Sequence, residues 1–214
     1  MAQQDRAHRT HDDLIDAAAE MFDRYGFAPA SLSTISAHAG VSKGALHYHF
    51  ANKDALAEAV GRAAVQRLAR ITGRGAGHLA GGALQLLIDA THDLARGLRE
   101  DAVLRVGFGV GRVPGWCGAS RDLRRVWQAW VGDTLRRAAG EGAMTRAVPA
   151  DVVTATLVAT TLGLGTLTGQ QSPPCPAAAA GTTVTTLWNL LLPRLAADGV
   201  AGALVPSGSP CARA

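Results

Sequence analysis

Lysine is almost absent from this chain. It occurs only at Lys43 and Lys53, and every other fixed cation is an arginine. The net charge of +4 is modest and does not by itself point to a nucleic-acid partner. In the first fifty-odd residues Asp12, Asp13, Asp16, Glu20 and Asp23 offset Arg6, Arg9 and Arg24. Any DNA contact must therefore rest on a few placed donors and on backbone N–H groups at helix starts, not on a broad positive field. Cysteine is scarce too. Cys117, Cys175 and Cys211 are odd in number and lack ligand spacing, which argues against a disulfide framework and against a zinc site. The opening residues, MAQQDRAHRTHDD, lack the apolar core of a signal peptide, so the expected compartment is the cytoplasm. Residues 152–193 contain no Asp, Glu, Lys, Arg or His at all. A membrane span needs roughly 18–20 predominantly apolar residues. Here the first part of the stretch is rich in Thr and Gly, and the second has a strong apolar run only over 184–193. Two uncharged helices in a soluble chain are expected to be buried on most sides, by their own body and by a second copy.

What is present is enough for a folded core: 48% of the residues are hydrophobic and 18% charged. The stretch SLSTISAHAGVSKGALHYHFANK, residues 31–53, reads as a helix-turn-helix. Ser31 can cap a short helix over 32–39 with Leu32, Ile35 and Ala39 inside. Gly40 follows where a left-handed residue is needed. Ser42 caps a second helix over 43–50, with Val41 and Leu46 as a hydrophobic staple. Leu46 and Phe50 face inward, which leaves Lys43, Gly44, His47 and Tyr48 outside. Such a helix suits the major groove. Gly44 is unusual inside a helix unless something approaches its backbone closely.

Other helices follow in order. Residues 1–9 read as a mobile polar arm, and Thr10 as the cap of a first helix with Leu14, Ala17, Ala18, Met21, Phe22 and Tyr25 on one stripe. Asn52 caps a helix over about 53–71. Further helices are expected over about 79–98 and 120–139. Between them lies a glycine-broken segment, 101–113, followed by a loop at 114–118. The uncharged helices run over about 150–168 and 182–195, separated by a loop at 170–176. The expected fold is all-α: a three-helix helix-turn-helix head, residues 1–52, then a body of six or seven helices, residues 53–198. Residues 199–214 read as a disordered tail.

The block GVSKGALHYHFANKDAL, with Tyr25-Gly26-Phe27 upstream and the turn Ala39-Gly40-Val41, resembles the recognition-helix region of the TetR family of transcriptional regulators. One departure is His47, where many members carry an aromatic residue, usually tyrosine; an imidazole can donate as well. The resemblance implies a double-stranded DNA operator contacted by Lys43 and Gly44, with Ser31, Ser33, Ser42, His47, Tyr48 and Lys53 placing the head on phosphates. In the body, the run Ala102-Val103-Leu104-Arg105-Val106-Gly107 and the later Trp127 resemble the γ-butyrolactone receptor branch, in which a tryptophan on the seventh helix lines a pocket for a small lactone. Members that bond the ligand from the fourth helix tend to use a glutamine near Ala63-Ala64-Val65, so a different small apolar effector is also implied, such as an antibiotic intermediate.

The expected effector site comprises Leu104, Gly107 and Phe108, whose segment the glycines would leave roomy, with Trp127 and Trp130, and with Val158, Thr161 and Leu162. The expected homodimer contacts are Leu157, Val184, Leu187, Trp188 and Leu191. Alternatives are a regulator of a drug efflux or resistance gene and, in another class, an all-helical enzyme or carrier. His47 and His49 are two apart and share no helix face, so no metal site is expected. No catalytic motif is recognisable, and no cofactor is implied.

Overall fold

The computed structural model describes residues 2–73, 82–109, 119–145, 148–167 and 180–209. The three cysteines, the expected loops at 114–118 and 170–176, and the end of the glycine-broken segment lie outside the described residues. The described chain is all-α. Its helices are α1 (Ala2–Tyr25), α2 (Leu32–His38), α3 (Lys43–His49), α4 (Lys53–Gly73), α5 (Gly82–Glu100), α6 (Ala102–Phe108), α7 (Ala119–Gly140), α8 (Ala150–Leu167) and α9 (Ala180–Leu195). They fall into two compact units. One contains residues 1–67 and 101–123; the other contains 68–100 and 124–214.

In the first unit α1 packs on both α2 and α6. Its stripe buries Leu14, Ala18 and Phe22, while Tyr25 at its end is half-exposed beside Arg24. The helix begins well before Thr10, where the sequence suggests an arm. Thr10 is not a cap: its hydroxyl donates to the Arg6 carbonyl one turn back, 3.0 Å away, an alternative open to any mid-helix Thr. Asn52 caps α4 as expected, its Oδ1 accepting from Ala55 N–H at 2.8 Å.

Charge pairs organise the rest of this unit. Asp101 caps α6 through bonds from the Val103 and Leu104 N–H groups and also pairs with Arg67 of α4. Arg67 reaches Asp16 of α1 at 2.5 Å as well. Burial works against its charge, but bonds and charges from Asp101 and Asp16 outweigh that and raise its pKa above the ordinary arginine value. Arg105 of α6 donates from Nε to Asp23 Oδ2 at 2.9 Å. At Gly107 the helices meet closely. A Cβ there would overlap Ala64 of α4 and come within 3.1 Å of Leu123 Cδ2. The expectation that this glycine leaves free volume is corrected: the methyl group of Ala64 fills it.

In the second unit α5 is the central helix, packed by both α8 and α9 and buried along nearly its whole length. Trp188 of α9 is fully buried and its Nε1 donates to Thr91 Oγ1 of α5 at 2.8 Å. The segment after α7 pairs with the end of α9 through Thr145 N–H to Leu195 O, 2.8 Å, and Ala197 N–H to Ala143 O, 3.0 Å. The described part of the tail is ordered, contrary to the expected disorder. Residues 201–203 form a 3-10 turn, Leu204 is buried, and backbone groups at Val205 and Ser209 bond to α5 side chains. The polar Gln85 and Asp89, buried on α5, supply the partners that composition alone does not reveal.

Candidate functional site

The head is built from caps outward. The Ser31 hydroxyl accepts from Thr34 N–H and the Thr34 hydroxyl bonds back to Ser31 N–H, both at 3.1 Å, a complete capping box. Gly40 ends α2 at φ +67. Its N–H reaches Ala37 O at 3.1 Å while Val41 N–H reaches Ser36 O at 3.0 Å, the paired bonds of a Schellman termination. Ser42 Oγ then accepts from Ala45 N–H at 3.1 Å and starts α3. Leu46 and Phe50 are buried. Lys43, Gly44, His47 and Tyr48 are exposed together, Tyr48 by 82%. A Cβ on Gly44 would meet nothing closer than Ser42 Oγ at 3.9 Å, so no internal contact of the fold requires glycine there. Ser33 and the caps Ser31 and Ser42 are exposed at the surface.

Lys53 differs from its expected role on a phosphate. Its ammonium donates to the carbonyls of Phe27 at 2.9 Å, Ala28 at 3.2 Å and Ala30 at 3.0 Å, and it lies 4.3 Å from the centroid of the Phe27 ring. Three acceptors match the three donors of a lysine, so Lys53 clasps the α1–α2 loop to the start of α4. His49, at the end of α3, turns inward. Its ring lies edge-on to His11 of α1 at 5.8 Å, and Phe50 lies 5.0 Å from His11. Burial, and then the neighbouring His11, lower the His49 pKa below 6.5.

The residues expected around an effector divide between the two units. In the first, Leu104 and Phe108 are buried on α6 beside Gly107. In the second, Trp127 and Trp130 stack on α7, ring centroids 5.3 Å apart and planes 15° from parallel. Trp127 is fully buried, and its indole Nε1 is the one fully buried side-chain polar atom among the described residues without a hydrogen-bond partner. Thr161 is buried on α8, where its hydroxyl donates to Leu157 O at 2.6 Å; its oxygen can still accept. Val158 and Leu162 flank it, half-buried.

The comparisons with known proteins agree with this geometry. The model of the bacterial regulatory proteins of the tetR family matches residues 14–60, which span most of α1, the helix-turn-helix and the start of α4. The A-factor receptor protein of Streptomyces griseus is 29% identical over 211 residues, covering 97% of this chain and 71% of that protein. A crystal structure of a γ-butyrolactone receptor, an ArpA-like protein, superposes with a TM-score of 0.72 at 27% identity, covering 94% of this chain and 96% of the other. This chain therefore carries a tetR-type head and is similar over most of its length to a γ-butyrolactone receptor. It is also similar to CprB from Streptomyces coelicolor, solved in complex with its biological operator sequence, with a TM-score of 0.71 and 27% identity over 92% of this chain and 93% of that one.

Within this fold the expected dimer residues separate into two groups. Leu157, Val184 and Trp188 are buried inside their own protomer, and Trp188 is tied to Thr91. They are core residues, which corrects their expected place at an interface. Leu187 and Leu191 are half-buried. The outer stripe of α9 carries Thr183, Leu187 and Leu190, and Leu190 is 71% exposed. The outer stripe of α8 carries Val152, Ala155, Thr156 and Ala159, all exposed. Among the described residues no helix is long and apolar enough to cross a membrane. The ion pairs of Arg105 with Asp23 and of Arg67 with Asp16 and Asp101 are not expected from the sequence. The signal for Arg105 was present, since it is a single cation inside the apolar run AVLRVGF.

Proposed function

We propose that this protein is a homodimeric, ligand-responsive transcriptional repressor acting in the cytoplasm. It binds a pseudo-palindromic operator and is released by a small apolar signal, such as a γ-butyrolactone-like molecule or an antibiotic intermediate. The observation that carries the DNA half is the exposed face of α3, where Lys43, Gly44, His47 and Tyr48 stand together and Gly44 has no neighbour of its own. A backbone left bare on an exposed helix admits close approach of a phosphate or base edge. Ser31, Ser33 and Ser42 add hydroxyls near that face. We assign DNA binding to residues 1–52 and effector binding with dimerisation to residues 53–198. The similarity is to bacterial regulatory proteins and to receptors, and we read the protein as a regulator, not an enzyme.

The effector half rests on Trp127. A buried donor without an acceptor costs about 1–3 kcal/mol. A lactone carbonyl placed against this N–H would remove that cost beside flat apolar walls, with Trp130 on the same helix and Val158, Thr161 and Leu162 on α8 completing the proposed site. In the first unit, Leu104 and Phe108 sit on α6, which packs on α1 and is pinned to it by Arg105 and Asp23. An effector that releases the operator acts on an equilibrium between two states of the protein. It can do so only through its differential affinity for the two states.

The test is operator binding with and without effector. Lys43→Ala should weaken binding to a selected operator by about 1–3 kcal/mol if Lys43 reads a base. An unchanged affinity for that variant would remove Lys43 from the recognition set.

A further inference from the structure

Gln85, Asp89 and His92 follow one another along one face of α5 at helical spacing. Gln85 is 1% exposed and Asp89 8% exposed. Groups of this kind are buried only where they find partners, and the partners come from the C-terminal segment. Gln85 Oε1 accepts from Val205 N–H at 2.8 Å, and Gln85 Nε2 donates to Val205 O at 3.3 Å. The side-chain amide thus pairs with both backbone groups of one residue, as a neighbouring strand would. Asp89 Oδ1 accepts from Ser209 N–H at 2.8 Å and from Gln85 Nε2 at 2.9 Å. His92 Nε2 lies 2.9 Å from Pro206 O, and since a carbonyl only accepts, that nitrogen carries the proton. Gly208 crosses directly above. Its φ is +82, and a Cβ there would stand 3.5 Å from His92 Cδ2 and 3.6 Å from Asp89 Oδ1.

We propose that Gln85, Asp89 and His92 form a peptide-binding cradle on α5, and that its resident occupant is the chain's own segment 204–209. The cradle reads the backbone of an extended segment and requires a glycine where that segment bends over His92. The occupant contributes one buried apolar side chain, Leu204; the rest of the docking is hydrogen bonding. A segment held in this way opens as a local unit, without unfolding the helices beneath it. The cradle lies on the helix that also supports α8 and α9. The segment therefore acts as a releasable strap that steadies α5, and opening it exposes Gln85 and Asp89. This inference is independent of the DNA and effector readings.

The test uses hydrogen exchange on the full chain, on a chain ending at Ala203, and on the full chain with Gly208→Val. Both variants should keep their helical circular dichroism. In both, α5 amides should exchange roughly tenfold faster or more, as expected for a released local unit, and in Gly208→Val the amides of 204–209 should also lose protection. A synthetic peptide of sequence LVPSGS, added to the shortened chain, should restore the protection of α5, whereas LVPSVS should not. Unchanged α5 exchange in both variants would overturn the proposal, as would equal restoration by the two peptides. If the shortened chain does not fold, Gly208→Val decides alone, and retained protection of 204–209 in that variant overturns it.

Discussion

The indole N–H of Trp127 is buried and unpaired, so replacing it by Phe removes an unsatisfied donor and keeps an aromatic ring. Trp127→Phe should leave operator binding and thermal stability intact while weakening effector-induced release. Release at an unchanged effector concentration would show that the N–H takes no part. His49 makes a different kind of prediction. Burial and His11 lower its folded-state pKa below 6.5, so the unfolded chain binds the proton more tightly. The stabilisation this gives the head is complete above the unfolded value, and it is lost as pH falls through the lowered folded one. Melting temperatures measured from about pH 7.5 down to about pH 5 should fall more steeply for the unmutated protein than for His49→Gln; parallel profiles would contradict this. At this scale the sequence was informative where a residue's fate depends on near neighbours. The exposed set Lys43, Gly44, His47 and Tyr48 follows from the positions of Leu46 and Phe50 on one short helix. Lys53 could not be read in that way, because its acceptors Phe27, Ala28 and Ala30 are brought to it only by the fold.

Among the elements, α6 is the one whose role changed most. Its glycine suggested space, but Ala64 of α4 occupies it. Gly107→Ala should therefore destabilise the protein by about 1–3 kcal/mol through overpacking, read as a lower urea midpoint at constant slope. Ala64→Gly in the same chain should recover part of the loss, and a midpoint unaffected by Gly107→Ala would refute the close crossing. Helix positions were legible because caps and stripes are local: Ser31, Ser42 and Asn52 all cap where their sequence context suggests. The start of α1 was not, because Thr10 serves either as a cap or as a mid-helix residue bonded to Arg6, and sequence alone does not choose between them.

For the whole molecule, the described parts of the uncharged stretch are helical as expected, but the sequence does not distinguish their inner and outer faces. Trp188 and Leu190 sit two apart on α9, both apolar, and no charge marks the solvent side. The structure places Trp188 against Thr91 and leaves Leu190 exposed. We therefore propose that two copies meet through the outer stripes of α8 and α9. Leu190→Glu should yield folded monomers by light scattering, since it puts unpaired charges into an apolar contact. Trp188→Arg should instead lose the fold, because its charge enters the protomer's own core. A folded monomeric Trp188→Arg protein with a dimeric Leu190→Glu protein would reverse the assignment. We propose an operator held by the exposed face of α3 and released by a small apolar ligand. The most direct test is fluorescence anisotropy on an operator selected from random duplexes, with the unmutated protein titrated at several salt concentrations and then challenged with a γ-butyrolactone series. The expected result is a pseudo-palindromic operator with half-sites roughly 34–36 Å apart, affinity that falls steeply with salt, and release by a member of the series. Failure to select any duplex, or binding that survives both high salt and every ligand, would contradict it.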